Sequence, residues 1–275
     1  MQKAQVEKRQ RKSVVRFKAL TGVLYPLLFG ILILILWQTQ ILHKLLNTDE
    51  FTLPLPNRIL TIIIDNFPKI AGNIQATVIV SVCGLILGSL FGYLIAIIAA
   101  VFPRWGAGGL NIVSAFNAVP IVALAPVITN WTKDVSKDAN IRSMVAKVLV
   151  VTVICTASMS VNAFRGLTEL KPFSEDLMKT YAAGKITTFI KLRLPNSVPY
   201  IFIALRVSVP ASVISALVSE YFAEYITGIG RQIRENIVLA QYATAWAYIG
   251  VACLIGIVMY GILMACEGIL LKNRK

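Results

Sequence analysis

The chain has 275 residues, 57% of them hydrophobic, and a formal net charge of +14. Its mean hydropathy of +0.73 lies well above that of soluble domains, which excludes a soluble enzyme or binding domain. The basic residues cluster beside apolar runs and have no aromatic or glycine-rich binding pattern, which argues against a nucleic-acid-binding protein.

Six apolar runs are long enough to cross a hydrocarbon core, which takes about 20 residues of helix. The predicted spans are Leu20–Leu42, Asn73–Phe102, Leu110–Trp131, Met144–Phe164, Tyr200–Phe222 and Ala243–Leu271. The predicted fold class is therefore an all-α membrane protein with about six transmembrane helices. A basic tail, residues 1–19, precedes the membrane domain at 20–271, and a short basic tail, 272–275, follows it. The first run is longer than a signal-peptide core and lacks a small-residue cleavage site after it, so we expect an uncleaved span.

The distribution of cations predicts the orientation of these spans. Seven lysines and arginines lie in the first eighteen residues, and six more lie between residues 164 and 197. With the N-terminus inside, the inside segments carry 17 cations and the outside segments nine, Lys147 among them. Because lysine and arginine are retained on the cytoplasmic side, we expect both termini to be cytoplasmic.

Small residues mark one face of the second span, at Gly84, Gly88, Gly92, Ala96 and Ala100. Such a face lets two helix backbones approach closely, which is the main packing device in lipid, so we expect a helix contact here.

Prolines interrupt the third predicted span at Pro120 and Pro126, beside Asn117 and Asn130. Each proline removes a helix hydrogen bond and crowds the preceding turn. Broken helices at membrane depth are tolerated where they face protein or a water-filled cavity. The span can therefore line a pathway or carry a plain packing kink, and the sequence leaves both open.

Polar residues inside spans usually face a bundle interior or an aqueous cavity. The candidate translocation-pathway residues are Asn117, Pro120, Ser158, Asn162, Ser208, Ser212, Ser215 and Glu220. The serines, which Ser219 extends along one helix face, can equally be interhelical packing. Glu220 can contact a substrate or form a salt bridge with Arg231 or Arg234, and the salt bridge is the preferred interpretation.

Other polar groups are expected to have no special role. We expect Arg206 to extend its head group towards the membrane surface and the single histidine, His43, to be exposed and incidental. No catalytic Ser/His/Asp set, carboxylate pair or metal-ligand cluster can be assembled from the sequence, so no catalytic or metal site is predicted.

The connection at 164–199 is too long for a simple loop between bundle helices. Ser174 can cap a short helix whose first turn holds Glu175 and Asp176, and Gly184 is a suitable end for it. Leu177, Met178, Tyr181 and Ala182 form its predicted apolar face. A second amphipathic turn ends at Leu194, and Pro195 is expected to break it. An amphipathic helix with no core to cover lies on the membrane surface or binds a soluble partner, and the residues alone do not distinguish these.

The run "DLMKTYAAGKITTFIKLRLPNSVPYIFIALR" resembles the EAA loop of binding-protein-dependent ABC importer permeases. Aligned on Leu194 and Pro195, Asp176 falls at the family glutamate, Leu177 and Met178 at the two alanines, and Ala182 at the glycine. "LPLPNRIL", "AFNAVPIVALAP" and "FRGL" are similar to the nitrate/sulfonate/taurine branch. "DLMKTYAA" and "SEYFAEYITGIG" are most similar to permeases for vitamin-type heterocycles, such as the pyrimidine precursor of thiamine, or riboflavin.

The resemblance implies a type I ABC importer permease of a bacterial inner membrane, with residues 171–185 as the helix that couples it to an ATPase. The implied coupling residues are Glu175, Asp176, Leu177, Met178, Tyr181, Ala182, Gly184, Leu194 and Pro195. The implied partners are two ABC ATPase subunits, a second permease copy or a sibling, an extracytoplasmic solute-binding protein and the lipid bilayer. The longer polar segment "TKDVSKDANIRS" departs from the short turn usual in the family.

No G-x-x-x-x-G-K-[ST] sequence occurs in the chain, so we expect ATP and Mg²⁺ on the partner and neither enzyme activity nor a cofactor here. The alternative is a secondary transporter driven by an ion gradient. Transporters of that kind often show internal repeats and ionisable residues in mid-span, and this sequence shows no repeat and almost no mid-span charge.

Overall fold

The computed structural model describes residues 24–222 and 227–272, apart from the side chains of Pro103, Trp105, Ala107 and Asn117. Every regular element within these residues is helical. The predicted N-terminal tail at 1–19, the beginning of the first predicted span and the last three residues lie outside the described part.

The N-terminal unit ends at Asp65, and its described part, from residue 24 onwards, contains three helices. They are α1, Leu24–Gln38, α2, Ile41–Leu46, and α3, Pro56–Asp65. The first predicted span does not run unbroken to Leu42, because Gln40 takes a left-handed φ of 63° between α1 and α2. The expectation of an exposed histidine is also wrong: His43 is buried, and its Nε2 donates to the carbonyl oxygen of Leu53 at 2.6 Å.

The second unit contains nine helices within the described residues. They are α4, Phe67–Val101; α5, Pro103–Ala115; α6, Ile121–Trp131; α7, Ala139–Thr168; α8, Ser174–Thr180; α9, Lys185–Thr188; α10, Leu194–Phe222; α11, Ile229–Val238; and α12, Tyr242–Leu270. Among the described helices, four stretches are long and apolar enough to cross a membrane: α4, α7, the continuous helix Lys185–Phe222, and α12. These correspond to the second, fourth, fifth and sixth predicted spans, of which the second and the sixth extend one residue beyond the helix.

The third predicted span, Leu110–Trp131, is not one helix. It is divided into α5, a short 3₁₀ turn at Phe116–Ala118, and α6. Pro120 stands at the break with an extended ψ of 123°, so the predicted proline interruption is confirmed. Helix α6 has 11 residues, about 16 Å at 1.5 Å per residue, which is shorter than a hydrocarbon core of about 30 Å.

The small-residue face of α4 packs against α7, as the sequence predicted. A side chain at Gly84, Gly88 or Gly92 would overlap atoms of α7, which follow the same four-residue spacing through Val151, Cys155 and Met159. Ala96 and Ala100 continue the face into an apolar core with Met159 and, from α10, Ala204. Close backbone contact between α4 and α7 therefore forms the centre of the bundle.

Helices α7 and α10 meet closely where they join the connection between them. A side chain at Gly166 would overlap Ser197 and Tyr200. The Nδ2 of Asn196 donates to the carbonyl oxygens of Gly166, at 2.8 Å, and Glu169, at 3.1 Å. This contact holds the C-terminal end of α7 against the N-terminal end of α10, where the connection begins and ends.

Candidate functional site

The connection between α7 and α10 contains α8, whose first turn carries two acidic residues. Its N-cap position is Phe173, with a left-handed φ of 62°, so Ser174 is the first helical residue and the predicted cap at Ser174 is wrong by one position. Glu175 and Asp176 lie in the first turn as predicted. Carboxylates there are favoured by the positive end of the helix dipole.

The C-terminal end of α8 is a Schellman motif centred on Ala182. The amide of Ala183 donates to the carbonyl of Met178 at 3.0 Å, and the amide of Ala182 donates to that of Lys179 at 2.8 Å. Ala182 takes a φ of 51°, which glycine adopts at little cost and other residues do not. The predicted stop at Gly184 is therefore wrong, since Gly184 has a φ of −66° and instead precedes α9.

The second arm of the connection runs without a break into α10. Residues Phe189–Arg193 form a wide π turn, and the helix continues through Leu194 and Pro195, so the predicted break at Pro195 is wrong. Pro195 is accommodated because it lies just after the wide π turn, and such a local adjustment lets a helix continue past a residue without an N–H. Leu194 and Phe189 pack on the apolar core below, where α7 and α10 meet.

An ion pair joins the two arms. The Nη2 of Arg193 donates to Oε1 of Glu175 at 2.7 Å, with both side chains only partly exposed. The first turn of α8 is thereby fixed to the helix that continues into the bundle. The pair formed by Asp176 and Lys179 is exposed and adds little stability.

Five large apolar side chains of the connection project from its surface and define what we call the coupling patch. Their exposed fractions lie between 55% and 82%, and they are Phe173, Leu177, Tyr181, Ile186 and Ile190. Leu177, Met178 and Tyr181 were all expected on the apolar face. Leu177 and Tyr181 project from the surface, whereas Met178 is only partly exposed. The sequence reasoning missed Phe173 and Ile186, because they lie outside the two amphipathic segments that it considered, whereas Ile190 lies in the second of these segments.

The predicted pathway residues of the third and fourth spans are dispersed. Pro120 is exposed at the break before α6, and the side chain of Asn117 lies outside the described part. Ser158 and Asn162 are half-buried on α7, where Nδ2 of Asn162 donates to the carbonyl of Ser158 at 2.9 Å. Their role in a pathway stays a prediction.

The serines of α10 are fully buried in this conformation. Ser212, Ser215 and Ser219 each donate to a backbone carbonyl three or four residues earlier on the same helix. The carbonyl of Ser208 faces the thiol of Cys155 on α7 at 3.8 Å. These contacts are those of closely packed helices, and a pathway role for the serines stays a prediction.

Glu220 lies fully buried at the C-terminal end of α10. Its carboxylate accepts hydrogen bonds from the Thr77 hydroxyl at 2.9 and 3.1 Å and from the Gly230 amide at 3.0 Å. Its ionic partner is Lys147 of α7, at 3.7 Å. The expected partners Arg231 and Arg234 are wrong within the described residues, because Arg231 pairs with Glu235 instead.

Lys147 is the functional candidate that the sequence reasoning missed. It was assigned to an outside segment, but it lies within α7 and is 2% exposed. The signal was available, because the predicted span Met144–Phe164 already includes position 147.

Arg206 has a defined partner. Its Nε and Nη2 donate to the two carboxylate oxygens of Glu267 on α12, at 2.8 and 2.6 Å. The expectation that Arg206 only extends towards the surface is incomplete, since this two-bond pair links α10 to α12.

The architecture of long apolar helices around a protruding amphipathic connection is that of a multi-span membrane permease. A family model described as binding-protein-dependent transport system inner membrane component matches residues 88–268. The chain belongs to this family, in which the permease is not an enzyme and ATP hydrolysis is carried out by a separate ATPase subunit.

Two curated relatives cover most of the chain. The formylaminopyrimidine transport permease protein ThiX of Halalkalibacterium halodurans is 26% identical over 92% of this chain and 96% of its own length. A probable ABC transporter permease protein of Haemophilus influenzae is 25% identical over 72% of this chain and 77% of its own length.

A solved structure supports the fold. The MetNI methionine ABC transporter, in an inward-facing conformation, matches with a TM-score of 0.50 and 16% identity, over 71% of this chain and 93% of that one. The type I importer permease fold is thereby confirmed, and family membership decides against the alternative of an ion-gradient-driven transporter.

Proposed function

We propose that this chain is the transmembrane subunit of an importer for a small polar heterocycle of the formylaminopyrimidine class, delivered by an extracytoplasmic binding protein. The support for this solute is the relative of that name, which aligns with nearly the whole chain. The "DLMKTYAA" and "SEYFAEYITGIG" segments, which resemble those of vitamin-precursor permeases, point in the same direction. A sulfonate, nitrate or taurine-like solute is the second candidate, favoured by the "AFNAVPIVALAP" segment.

The observation that carries the proposed mechanism is the coupling patch. Large apolar side chains on two arms of a rigid connection are costly to leave in water, and burying each one fully stabilises a contact by about 1.5–3 kcal/mol. We assign the patch to contact with the ATPase subunit, which would hold ATP and Mg²⁺. Residues 171–185 would move with that subunit and transmit its closure to α7 and α10.

The same assignment sets the orientation. The connection must face the cytoplasm to reach an ATPase, which agrees with the six cations between residues 164 and 197 and places both termini inside. Two ATPase subunits and two permease subunits, identical or siblings, would complete the transporter. Reversing a mostly inward population to a mostly outward one requires about 5 kcal/mol of differential binding, which ATP-driven closure of the ATPase pair can supply.

The assignment of the coupling patch to the ATPase contact is tested by introducing two charges into the patch. In the variant Leu177→Glu/Tyr181→Glu we expect at least tenfold less ATPase subunit to co-purify, because two apolar contacts are replaced by carboxylates that resist burial. The matched control is Val238→Glu/Leu239→Glu at the C-terminal end of α11, where the replaced side chains are 75% and 60% exposed. Equal ATPase recovery from both variants would refute the assignment.

The solute is tested by uptake. The permease is reconstituted into liposomes with its ATPase and binding protein, and ATP-dependent uptake of radiolabelled formylaminopyrimidine, taurine and nitrate is compared. We expect the formylaminopyrimidine to be accumulated and taurine and nitrate to be left outside. Uptake of taurine or nitrate alone would overturn the solute assignment and leave the ATPase coupling intact.

A further inference from the structure

Four consecutive residues, 227–230, are held to the bundle by four polar side chains, of which three are buried and Asn73 is half-buried. We call Asn73, Thr77, Lys147 and Glu220 the polar cluster. The Nζ of Lys147 donates to the carbonyl of Thr227 at 2.9 Å. The amides of the next three residues donate to the cluster at 3.0 Å each, Gly228 to Asn73 Oδ1, Ile229 to Thr77 Oγ1 and Gly230 to Glu220 Oε2.

The two glycines allow this close approach. Gly228 has a φ of 130°, which disfavours any side chain, and a Cβ there would overlap the carboxylate of Glu220. A Cβ at Gly230 would overlap the carbonyl oxygen of Leu217. The backbone of 227–230 therefore lies directly against α10 and fixes the beginning of α11.

Stability alone does not account for the charges in the cluster. The side chains of Lys147 and Glu220 are 3% and 0% exposed, and among the described ion pairs no other has both partners so deeply buried. Apolar residues of similar volume usually hold such a contact equally well or better, because burying two charges costs more than their attraction returns. Ionisable residues inside membrane spans are rare and generally mark functional positions.

The position of the cluster relates it to the coupling patch. Helices α7 and α10 flank the connection that carries the patch. Lys147 lies towards the end of α7, and Glu220 towards the end of α10, that is farther from this connection. Roughly 30 Å of helix, at 1.5 Å per residue, separates Lys147 from the end of α7 at Thr168. A rotation of about 4° between the helices around the Gly166 contact would therefore shift the far ends by about 2 Å, enough to separate the ion pair.

We propose that Thr77, Lys147 and Glu220 are positioning residues for transport, a lock that holds segment 227–230 and α11 in the conformation described here and opens when movement of the coupling patch changes the angle between α7 and α10. This inference rests on the proposed coupling to an ATPase. A buried pair suits this task because its separation leaves an uncompensated charge in the interior. Partly separated states are therefore unfavourable, and the lock is either closed or open. The two helices are the continuous physical link between the sites.

Hydrogen–deuterium exchange of the amides of 228–230 tests the lock directly. The complete complex, in lipid nanodiscs, is compared without nucleotide and with ATP–Mg²⁺ on a hydrolysis-deficient ATPase subunit. We expect these three amides to exchange at least threefold faster with ATP, a change that a purely structural contact would not show. An intact complex in which they change by less than threefold would overturn the inference alone. Failure of the ATPase to assemble would overturn the proposed function, and the inference with it.

A paired substitution gives the second test. The variant Lys147→Met/Glu220→Gln removes both charges and keeps similar volumes, and we expect ATP to accelerate the same amides by less than threefold, because no ion pair is left to separate. The control, Arg206→Met/Glu267→Gln, removes an ion pair between α10 and α12 and should keep the wild-type response.

Retention of the wild-type response by the cluster variant would overturn the proposal. If that variant does not assemble, Thr77→Val, which deletes one hydroxyl and preserves shape, is expected to reduce the ATP-dependent acceleration of the Ile229 amide below threefold. A wild-type ATP response of the Ile229 amide in that variant would also overturn the proposal.

Discussion

The left-handed alanine at the end of α8 leads to a prediction for Ala182→Gly. A residue with a Cβ in this conformation costs about 1–2 kcal/mol, and glycine removes that cost while adding about 0.5–1 kcal/mol of unfolded-state entropy. The net expectation is a cap that is more stable by about 0.5–1 kcal/mol, which corresponds to a two- to fivefold change in the local equilibrium at RT of about 0.59 kcal/mol.

The assay follows from the geometry of the cap. The amides at positions 182 and 183 donate its two hydrogen bonds, so their hydrogen exchange should slow about two- to fivefold in Ala182→Gly. The control is Ala183→Gly, at a position without a positive φ, where glycine brings only the entropic cost and exchange should become faster. If both variants accelerate exchange equally, the left-handed strain at Ala182 is not what limits this cap.

Three further predictions concern other parts of the chain. Gly88→Ala forces a methyl group into α7 and should lower the free energy of unfolding by about 1–3 kcal/mol. Gly250→Ala, with open space around it, should be neutral or stabilising, and the melting temperatures of the two purified variants distinguish them. Gly228→Ala should destabilise more than Gly88→Ala in the same assay, because strain in φ adds to steric overlap; equal melting temperatures would contradict this. The pKa of Asp49 is lowered chiefly by a hydrogen bond from the Thr52 amide, so protection of that amide should be lost as the pH falls and the carboxylate protonates, and Asp49→Asn, whose side chain accepts without titrating, should abolish this pH dependence.

The sequence predicted the features that depend on local pattern. Long apolar runs give the four long spans, and the four-residue spacing of Gly84, Gly88 and Gly92 gives the contact between α4 and α7. In both cases the information lies within one helix, since hydropathy and periodicity require no knowledge of the partner.

The sequence could not predict features that depend on distant residues. Lys147 and Glu220 belong to different helices, and each alone has the appearance of a charge near the end of a span. Arg231 and Arg234 were nearer in sequence to Glu220, and nearness in sequence misled the assignment. Only the packing of α7 against α10 brings Lys147 to the carboxylate.

The connection shows a third kind of outcome. Its amphipathic helix and acidic first turn followed from side-chain pattern and dipole, but its ends did not. The backbone conformations of Phe173 and Ala182 determine the two ends of the helix, and neither residue type favours a left-handed φ. Propensity therefore gave a wrong start at Ser174 and a wrong stop at Gly184.

The glycine face of α4 has a consequence for how this helix can change over time. One side tolerates only the smallest residues, because each added methyl collides with α7. The opposite side should accept most apolar residues, because its side chains are all more than half exposed: Leu90, Phe91, Leu94 and Ile98. Sequence changes in α4 should therefore accumulate on the exposed face, whereas the face against α7 should accept almost none.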